Sequence, residues 1–254
     1  MSYLKQAVKL VQEGDRHTGH GRFFADFIDD WSYRQTGVYA PSTTLCDPLK
    51  KLAHQLSHIT RSAWEESPGD DFLGSVIEEC GGSGHLSFFR TPPAISSLMT
   101  QFMRQKTGLT DFCDVCMGSG SLTLAHIHQT FLKGGAKAVA RLNITGQDLS
   151  VNKVKVSMLQ IVNLLDILGD GKPLYVHSLK LHVINSLSRE YYGITYDFSG
   201  VNNKNCQLDE KQKRLLHEAI MSNASIKSIS EQLRIPINLI KKEMNKPLNL
   251  INLT

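Results

Sequence analysis

The sequence predicts an α/β fold, and three observations in the middle of the chain carry that prediction. Asp111 to Cys116 reads as a short strand running into Gly118-Ser119-Gly120. Leu142 to Gln147 reads as a second, buried strand, and Leu174 to His177 as a third. Helical spacing of apolar residues fills both intervals, so the order is strand, helix, strand, helix, strand, the pattern of a right-handed parallel unit.

The flanking segments read as helical. Residues 1–80 carry helical patterns broken at Gly19, Gly21, Gly37, Pro41, Pro48 and Pro68. Leu49, Leu52, Leu56 and Ile59 recur at helical spacing after Pro48, which suits a first helical turn. Phe72, Leu73, Val76 and Ile77 form a shorter amphipathic stretch, ended by Gly81-Gly82-Ser83-Gly84. After Pro92-Pro93, the residues Ile95, Leu98, Met99 and Phe102 give a further helix one apolar face. The first helix of the parallel unit carries Leu122, Leu124, Ile127 and Phe131 and stops at Gly134-Gly135. The second runs from Val151 to Leu168, with Val154, Met158, Ile161, Val162 and Leu165 at helical spacing. Residues 199–208 are polar and asparagine-rich and read as a linker, and the tail from Asp209 is helical again. The expected division is 1–80, 81–198 and 209–254.

Composition narrows the function classes. In 254 residues, 28 Lys and Arg face 24 Asp and Glu, a formal charge of +4, which is compatible with a polyanionic partner. No apolar run approaches the roughly 18 residues of a membrane span, and the first ten residues are amphipathic, so a cytoplasmic protein without a membrane partner is expected. Five cysteines, odd in number and irregularly spaced, argue against a disulfide framework. Cys113 and Cys116 have redox spacing, but both fall in the proposed strand, where small thiols pack well. His54 and His58, like His17 and His20, lack acidic or cysteine companions at metal spacing, so no metal site is expected. Trp31 and Trp64 are expected in the core or at a subunit interface.

The segment Asp114-Val115-Cys116-Met117-Gly118-Ser119-Gly120 concentrates the chemistry. Glycine has no Cβ and tolerates positive φ, so backbone there can approach a ligand closely. The helix that follows starts at the ligand with free N–H groups. A carboxylate after the next strand can accept from ribose hydroxyls, and Asp148 stands there, in Thr145-Gly146-Gln147-Asp148. A bland strand-to-helix turn is the competing reading of the glycines. Upstream, Phe88-Phe89-Arg90-Thr91-Pro92 reads, on its residues alone, first as a core aromatic pair before a proline-started helix.

Together these segments resemble the N6-adenine DNA methyltransferases of the type I modification-subunit kind, over about residues 71–180. Asp71-Phe72-Leu73-Gly74-Ser75-Val76-Ile77-Glu78 is similar to the end of that family's helical N-terminal region. Phe88, Phe89, Thr91 and Pro92, with Arg90 as an extra residue, resemble its "FFTP" motif, which holds the methionine part of S-adenosylmethionine. Asp114, Gly118, Ser119 and Gly120 resemble its "DPACGSG" turn, with Val115 in place of proline, and Gly146 and Asp148 its ribose-binding "G-x-D". The resemblance implies S-adenosylmethionine as cofactor, held by Phe89, Thr91, Pro92, Asp114, Gly118, Ser119, Gly120 and Asp148. It also implies double-stranded DNA as partner and methyl transfer to adenine N6.

The catalytic half departs from that pattern. The family's Asn/Asp-Pro-Pro-Tyr/Phe signature is absent from the sequence. The nearest segment, Val183-Ile184-Asn185-Ser186-Leu187, keeps only an asparagine, with an ordinary loop residue as the simpler reading, and no residue is assigned a catalytic role. The family's "GDSL"-like segment, which meets the cofactor's adenine, aligns with Val176-His177-Ser178-Leu179, without the acid. Too few residues remain before the linker for the other strands of a full sheet. The expected fold is therefore a partial or truncated Rossmann-like methyltransferase unit. A catalytically inactive, methyltransferase-derived DNA-binding or regulatory protein is the alternative, and a partner subunit or a homo-oligomer stays open. In the tail, Lys211–Met221, a segment capped by Ser225, and a basic segment begun by Pro236 follow the helix-turn-helix pattern, with Arg234, Lys241, Lys242 and Lys246 as DNA contacts. A small helical bundle packed on the main body is the competing reading of the same residues.

Overall fold

The computed structural model describes residues 2–80, 90–103 and 110–198. Four helices come first: α1 (Tyr3–Thr18), α2 (Arg22–Thr36), α3 (Asp47–Glu66) and α4 (Phe72–Glu79). Then follow α5 (Pro93–Met103), β1 (Asp111–Asp114), α6 (Ser121–Val139), β2 (Asn143–Asp148) and α7 (Val151–Gly169). β3 (Ser178–Ile184) and β4 (Tyr191–Asp197) complete the described elements. The fold is mixed α/β, with a Rossmann-like β1-α6-β2-α7-β3 unit at its centre.

The sheet order is β1-β2-β3-β4. β1, β2 and β3 run parallel, with Cys113 opposite Thr145 and Thr145 opposite Lys180. β4 returns antiparallel to β3 through a hairpin, setting Leu181 against Tyr196. Two sequence expectations change here. The third strand is Ser178–Ile184, not Leu174–His177, and β4 was not foreseen. Ser-Leu-Lys-Leu-His-Val alternates with the period of a strand buried on one face only, whereas the short apolar run Leu-Tyr-Val leads into it. β1 also ends earlier than expected, at Asp114, leaving Cys116 in the turn; Cys113 and Cys116 are free and exposed.

That alternation divides the sheet. Phe112, Ile144, Leu179, Leu181 and Val183 are buried on one side, where α7 packs against β2 and β3. The other side carries Cys113, Thr145, Lys180 and His182, exposed or half-buried. Parallel sheets covered on both faces read as continuous apolar runs; β3 does not, and its second face is polar.

α2, α3 and α4 pack on the outside of α7, so one apolar core runs from Ala7 to Tyr196. Trp31 and Trp64 both lie in it, with ring centroids 5.6 Å apart. Lys155 of α7 is almost wholly buried and donates to Asp29 of α2 at 2.7 Å. At the far edge of the sheet, the Tyr39 hydroxyl donates to the carbonyl of Thr195 (2.8 Å) and accepts from its N–H (3.0 Å), supplying β4 with the pairing of a neighbouring strand.

α5 is packed against the expectation drawn from its apolar row. It meets α6 through the polar residues Ser96 and Thr100, which are buried, while Ile95, Leu98, Met99 and Phe102 are exposed. Ser and Thr are small, and the Thr100 hydroxyl bonds back to the Ser96 carbonyl at 2.7 Å within the helix.

Candidate functional site

Because β1, β2 and β3 are parallel, their carboxyl ends gather the loops that follow them, where ligands of open α/β sheets bind. Asp114 ends β1 there. It is buried, accepts from the Thr123 hydroxyl at 3.1 Å, and burial pushes its pKa above the ordinary 3.8, against the lowering effect of Thr123 and the Cys116 amide.

The glycine turn follows. The Met117 amide donates to the Gln147 carbonyl at 2.9 Å and stitches the turn to β2. Met117 itself is buried over Gly146, whose missing Cβ leaves room for its sulfur. Gly146 is thereby explained by packing. Gly118 and Gly120 have φ of 56° and 97°, a region that strongly favours glycine. A Cβ on Gly120 would also stand 2.5 Å from Ser157 Oγ, so this residue sets how closely α6 approaches α7. Gly120 has no side chain to cap α6, and the first N–H groups of a helix lack partners within it.

Asp148 stands where the sequence placed it. One carboxylate oxygen accepts from the Gly118 amide at 2.9 Å and the other from the Ser150 amide at 2.8 Å. The acid thus clamps the turn, and each oxygen keeps a further lone pair for another donor.

Behind the turn lies a buried polar cluster that sequence reasoning missed. Asp71 caps α4 by accepting from the Gly74 amide at 2.9 Å. It also accepts from Gln160 Nε2 at 2.8 Å and from the hydroxyls of Ser119 and Ser121. Gln160 donates in addition to the Ser119 carbonyl at 2.9 Å, and its Oε1 accepts from the Leu73 amide at 3.0 Å. The Ser119 side chain therefore faces Asp71 and not open space. One signal was present in the sequence: a Cβ on Gly74 would strike the Asp71 carboxylate, so the Asp-x-x-Gly spacing reports the cap.

Thr91 comes close to the start of α6. With Arg90, Pro93, Ser96, Ser121 and His128 it lines a cavity of about 210 Å³, beside a larger cleft of about 620 Å³ that shares Asp70, Asp71, Arg90 and Pro93. Arg90 reaches Glu78 at 3.1 Å, and the buried Ser96 hydroxyl has no hydrogen-bond partner among the described residues. Burial lowers the His128 pKa, opposed by nearby Asp70. The Pro92 carbonyl accepts from Ile95 and Ser96 at 2.9 and 3.0 Å and starts α5. Phe89, like Arg234, Lys241, Lys242 and Lys246, lies outside the described residues.

Two segments proposed for the cofactor's adenine and for catalysis are re-placed by the topology. Val176-His177-Ser178-Leu179 leads into the amino end of β3, at the opposite end of the parallel strands from Gly118. It lies beside a separate apolar pocket of about 460 Å³ that includes Val176, Leu179 and Phe198. Asn185-Ser186-Leu187 stands at the carboxyl end instead, where Ser186 Oγ donates to the Val115 carbonyl at 2.6 Å. Asn185 Oδ1 accepts from the amides of Leu187 and Ser188 at 3.0 and 3.2 Å, which shapes the β3–β4 turn. That is the work of an ordinary loop asparagine.

No protein-family model matches the chain, and no curated protein matches it. Among solved structures, it is similar to a chain from Listeria monocytogenes, provisionally described as a class I S-adenosylmethionine-dependent methyltransferase. There the identity is 11% and the TM-score 0.40, covering 64% of this chain and 50% of that one. It is also similar to the methyltransferase subunit of a type I restriction-modification system from Streptococcus thermophilus, at 18% identity and a TM-score of 0.37, covering 75% of this chain and 41% of that one. The chain spans half or less of both, and the reading of the site rests on its own geometry.

Proposed function

We propose that this chain binds S-adenosylmethionine at the carboxyl ends of β1 and β2, in the manner of the N6-adenine DNA methyltransferases its motifs resemble. The carrying observation is the Asp148–Gly118 clamp at the uncapped start of α6. It sets an acceptor for ribose hydroxyls beside N–H donors. The donor set suits the group: Asp148 has lone pairs to offer, and the Ser96 hydroxyl beside Thr91 has no partner among the described residues. Thr91 and Pro92 would hold the methionine end, and Asn185 and Ser186, at the end of β3, would border the adenine end. When bound, the cofactor supplies an electrophilic methyl group, and the chain's part is to position it.

Calorimetric titration with S-adenosylmethionine tests this reading. Wild type binds, and a folded Gly118→Val variant does not, because a branched side chain stands where backbone meets the ligand. Asp148→Ala weakens binding by about 1.5–3 kcal/mol, the range for hydrogen bonds to a charged group. Equal affinity of wild type for the ribo and 2′-deoxy cofactor would remove Asp148 from the ribose.

A specific observation favours a second reading, a methyltransferase-derived protein that binds DNA without transferring methyl groups. No Asn/Asp-Pro-Pro-Tyr/Phe segment exists in the sequence, and Asn185 is spent on its own turn. Transfer of labelled methyl to duplex DNA separates the two readings; cofactor binding without transfer selects the second. DNA as partner is supported by the tail, where Lys204 to Lys246 carries nine Lys and Arg against five Asp and Glu.

A further inference from the structure

We infer, on the cofactor reading above, that Asp71 and Gln160 are positioning residues for the glycine turn. They hold it in the shape that receives the ligand without touching the ligand themselves, and so give the N-terminal helices a share in its affinity. Both side chains are fully engaged. A carboxylate offers about four acceptor sites. Asp71 Oδ1 accepts from the Gly74 amide and from Gln160 Nε2, and Oδ2 accepts from the hydroxyls of Ser119 and Ser121. Gln160 is equally spent. Its Nε2 donates to Asp71 and to the Ser119 carbonyl, while its Oε1 accepts from the Leu73 amide and, at 3.4 Å, from Trp64 Nε1. Asp71 is 5% exposed and Gln160 1%, so neither keeps a polar site for a ligand. Asp148 differs in this, since it keeps lone pairs for another donor.

The turn needs such a hold. Gly118 and Gly120 sit at positive φ, and glycine loses more conformational freedom on ordering than any other residue. Ser119, between them, is gripped at its hydroxyl by Asp71 and at its carbonyl by Gln160. A turn ordered before the ligand arrives spares binding the cost of ordering it. The grip comes from outside the α/β unit as well as from α7. Asp71 caps α4, which packs on α1, α3 and α7, and Trp64 belongs to α3. A buried network with every member satisfied is rigid and specifies one arrangement. The shape of the turn is therefore set where three helices of the N-terminal region meet α7.

Calorimetric titration of the full chain with S-adenosylmethionine, paired with hydrogen exchange of amides 118–124 in its absence, tests the role. Asp71→Ala and Gln160→Met each weaken binding tenfold or more and speed exchange at 118–124 by a similar factor. The two lie on different elements, so if one fails to fold the other still reads the hold on Ser119. Asp71→Asn recovers most of the loss: its Oδ1 keeps Gly74 and Gln160, and its amide donates to the two hydroxyls, whose oxygens accept. Leu49→Ala opens a cavity in the core at the start of α3, about 22 Å along that helix from Trp64. It lowers stability and leaves affinity unchanged, which separates positioning from stability alone. Wild-type affinity in the folded Asp71→Ala and Gln160→Met variants would overturn the proposal. So would an Asp71→Asn variant as weak as Asp71→Ala, which would make the Asp71 charge a ligand contact. A wild type that binds no S-adenosylmethionine would sink the cofactor reading instead, and the positioning would then stand or fall on the exchange rates.

Discussion

Asp71 shows how much one carboxylate can organise. It accepts from Gly74, Gln160, Ser119 and Ser121, which belong to three separated stretches of sequence. Asp71→Ala strands several donors in a buried place and is expected to cost about 2–4 kcal/mol in chemical denaturation. Gly74→Ala is also destabilising, because its Cβ would strike that carboxylate; in an Asp71→Ala background most of this cost should vanish, a non-additivity that a double-mutant cycle reads directly. Asp114 makes a prediction about pH. Its pKa is raised, mainly by burial, so the folded state holds the proton more tightly than the unfolded state. Its contribution to stability is therefore largest at low pH and is lost as pH climbs from the ordinary 3.8 through the raised value. Asp114→Asn removes that contribution, so the variant's unfolding free energy should fall less than wild type's between pH 3.5 and 7.

At the scale of elements, the decisive contacts join helices to one another across the sheet's covered face. Lys155 sits in the second turn of α7, buried like its neighbours Val154 and Val156, and α2 brings Asp29 to 2.7 Å from its ammonium. Asp29 keeps some solvent, so the pair is neither fully buried nor freely screened. A double-mutant cycle of Lys155→Met and Asp29→Asn should return a coupling of about 1–2 kcal/mol. β4 illustrates the same dependence. Its sequence, Tyr-Tyr-Gly-Ile-Thr-Tyr-Asp, has strand-forming residues, yet its place is fixed by pairing with β3 and by the Tyr39 hydroxyl.

For the whole molecule, the proposed DNA affinity belongs to the tail and not to the α/β unit, since the excess charge of Lys204 to Lys246 equals the formal charge of the entire chain. Phosphate contacts release counterions, so binding to duplex DNA should weaken steeply with salt, and a Lys241→Ala/Lys242→Ala variant should flatten the log–log slope by about two. A chain ended after Asn205 should bind cofactor but no longer shift duplex DNA, whereas full retention would assign the tail to packing alone. No helix of the described residues is long and apolar enough to cross a membrane.

The sequence by itself determined the first two parallel strands and the glycine turn, because these are local: an apolar run, two glycines needing positive φ, and an acid one strand later; the third strand it placed four residues early. It also placed Asp148, since the carboxyl end of the next parallel strand lies beside the turn whatever surrounds it. Only the tertiary structure decided what depends on distant partners. Asp71 and Ser119 are 48 positions apart and meet only because α4 lies against α7. The amphipathic pattern of α5 is plain in the sequence, yet which side faces inward was settled by the fit of Ser96 and Thr100 against α6. Val176–Leu179 and Asn185–Leu187 are similar as short motifs, and it is strand direction that puts the first at the far end of the sheet and the second beside Val115. Periodicity records which residues share a face; which neighbour that face meets is a property of the packed chain.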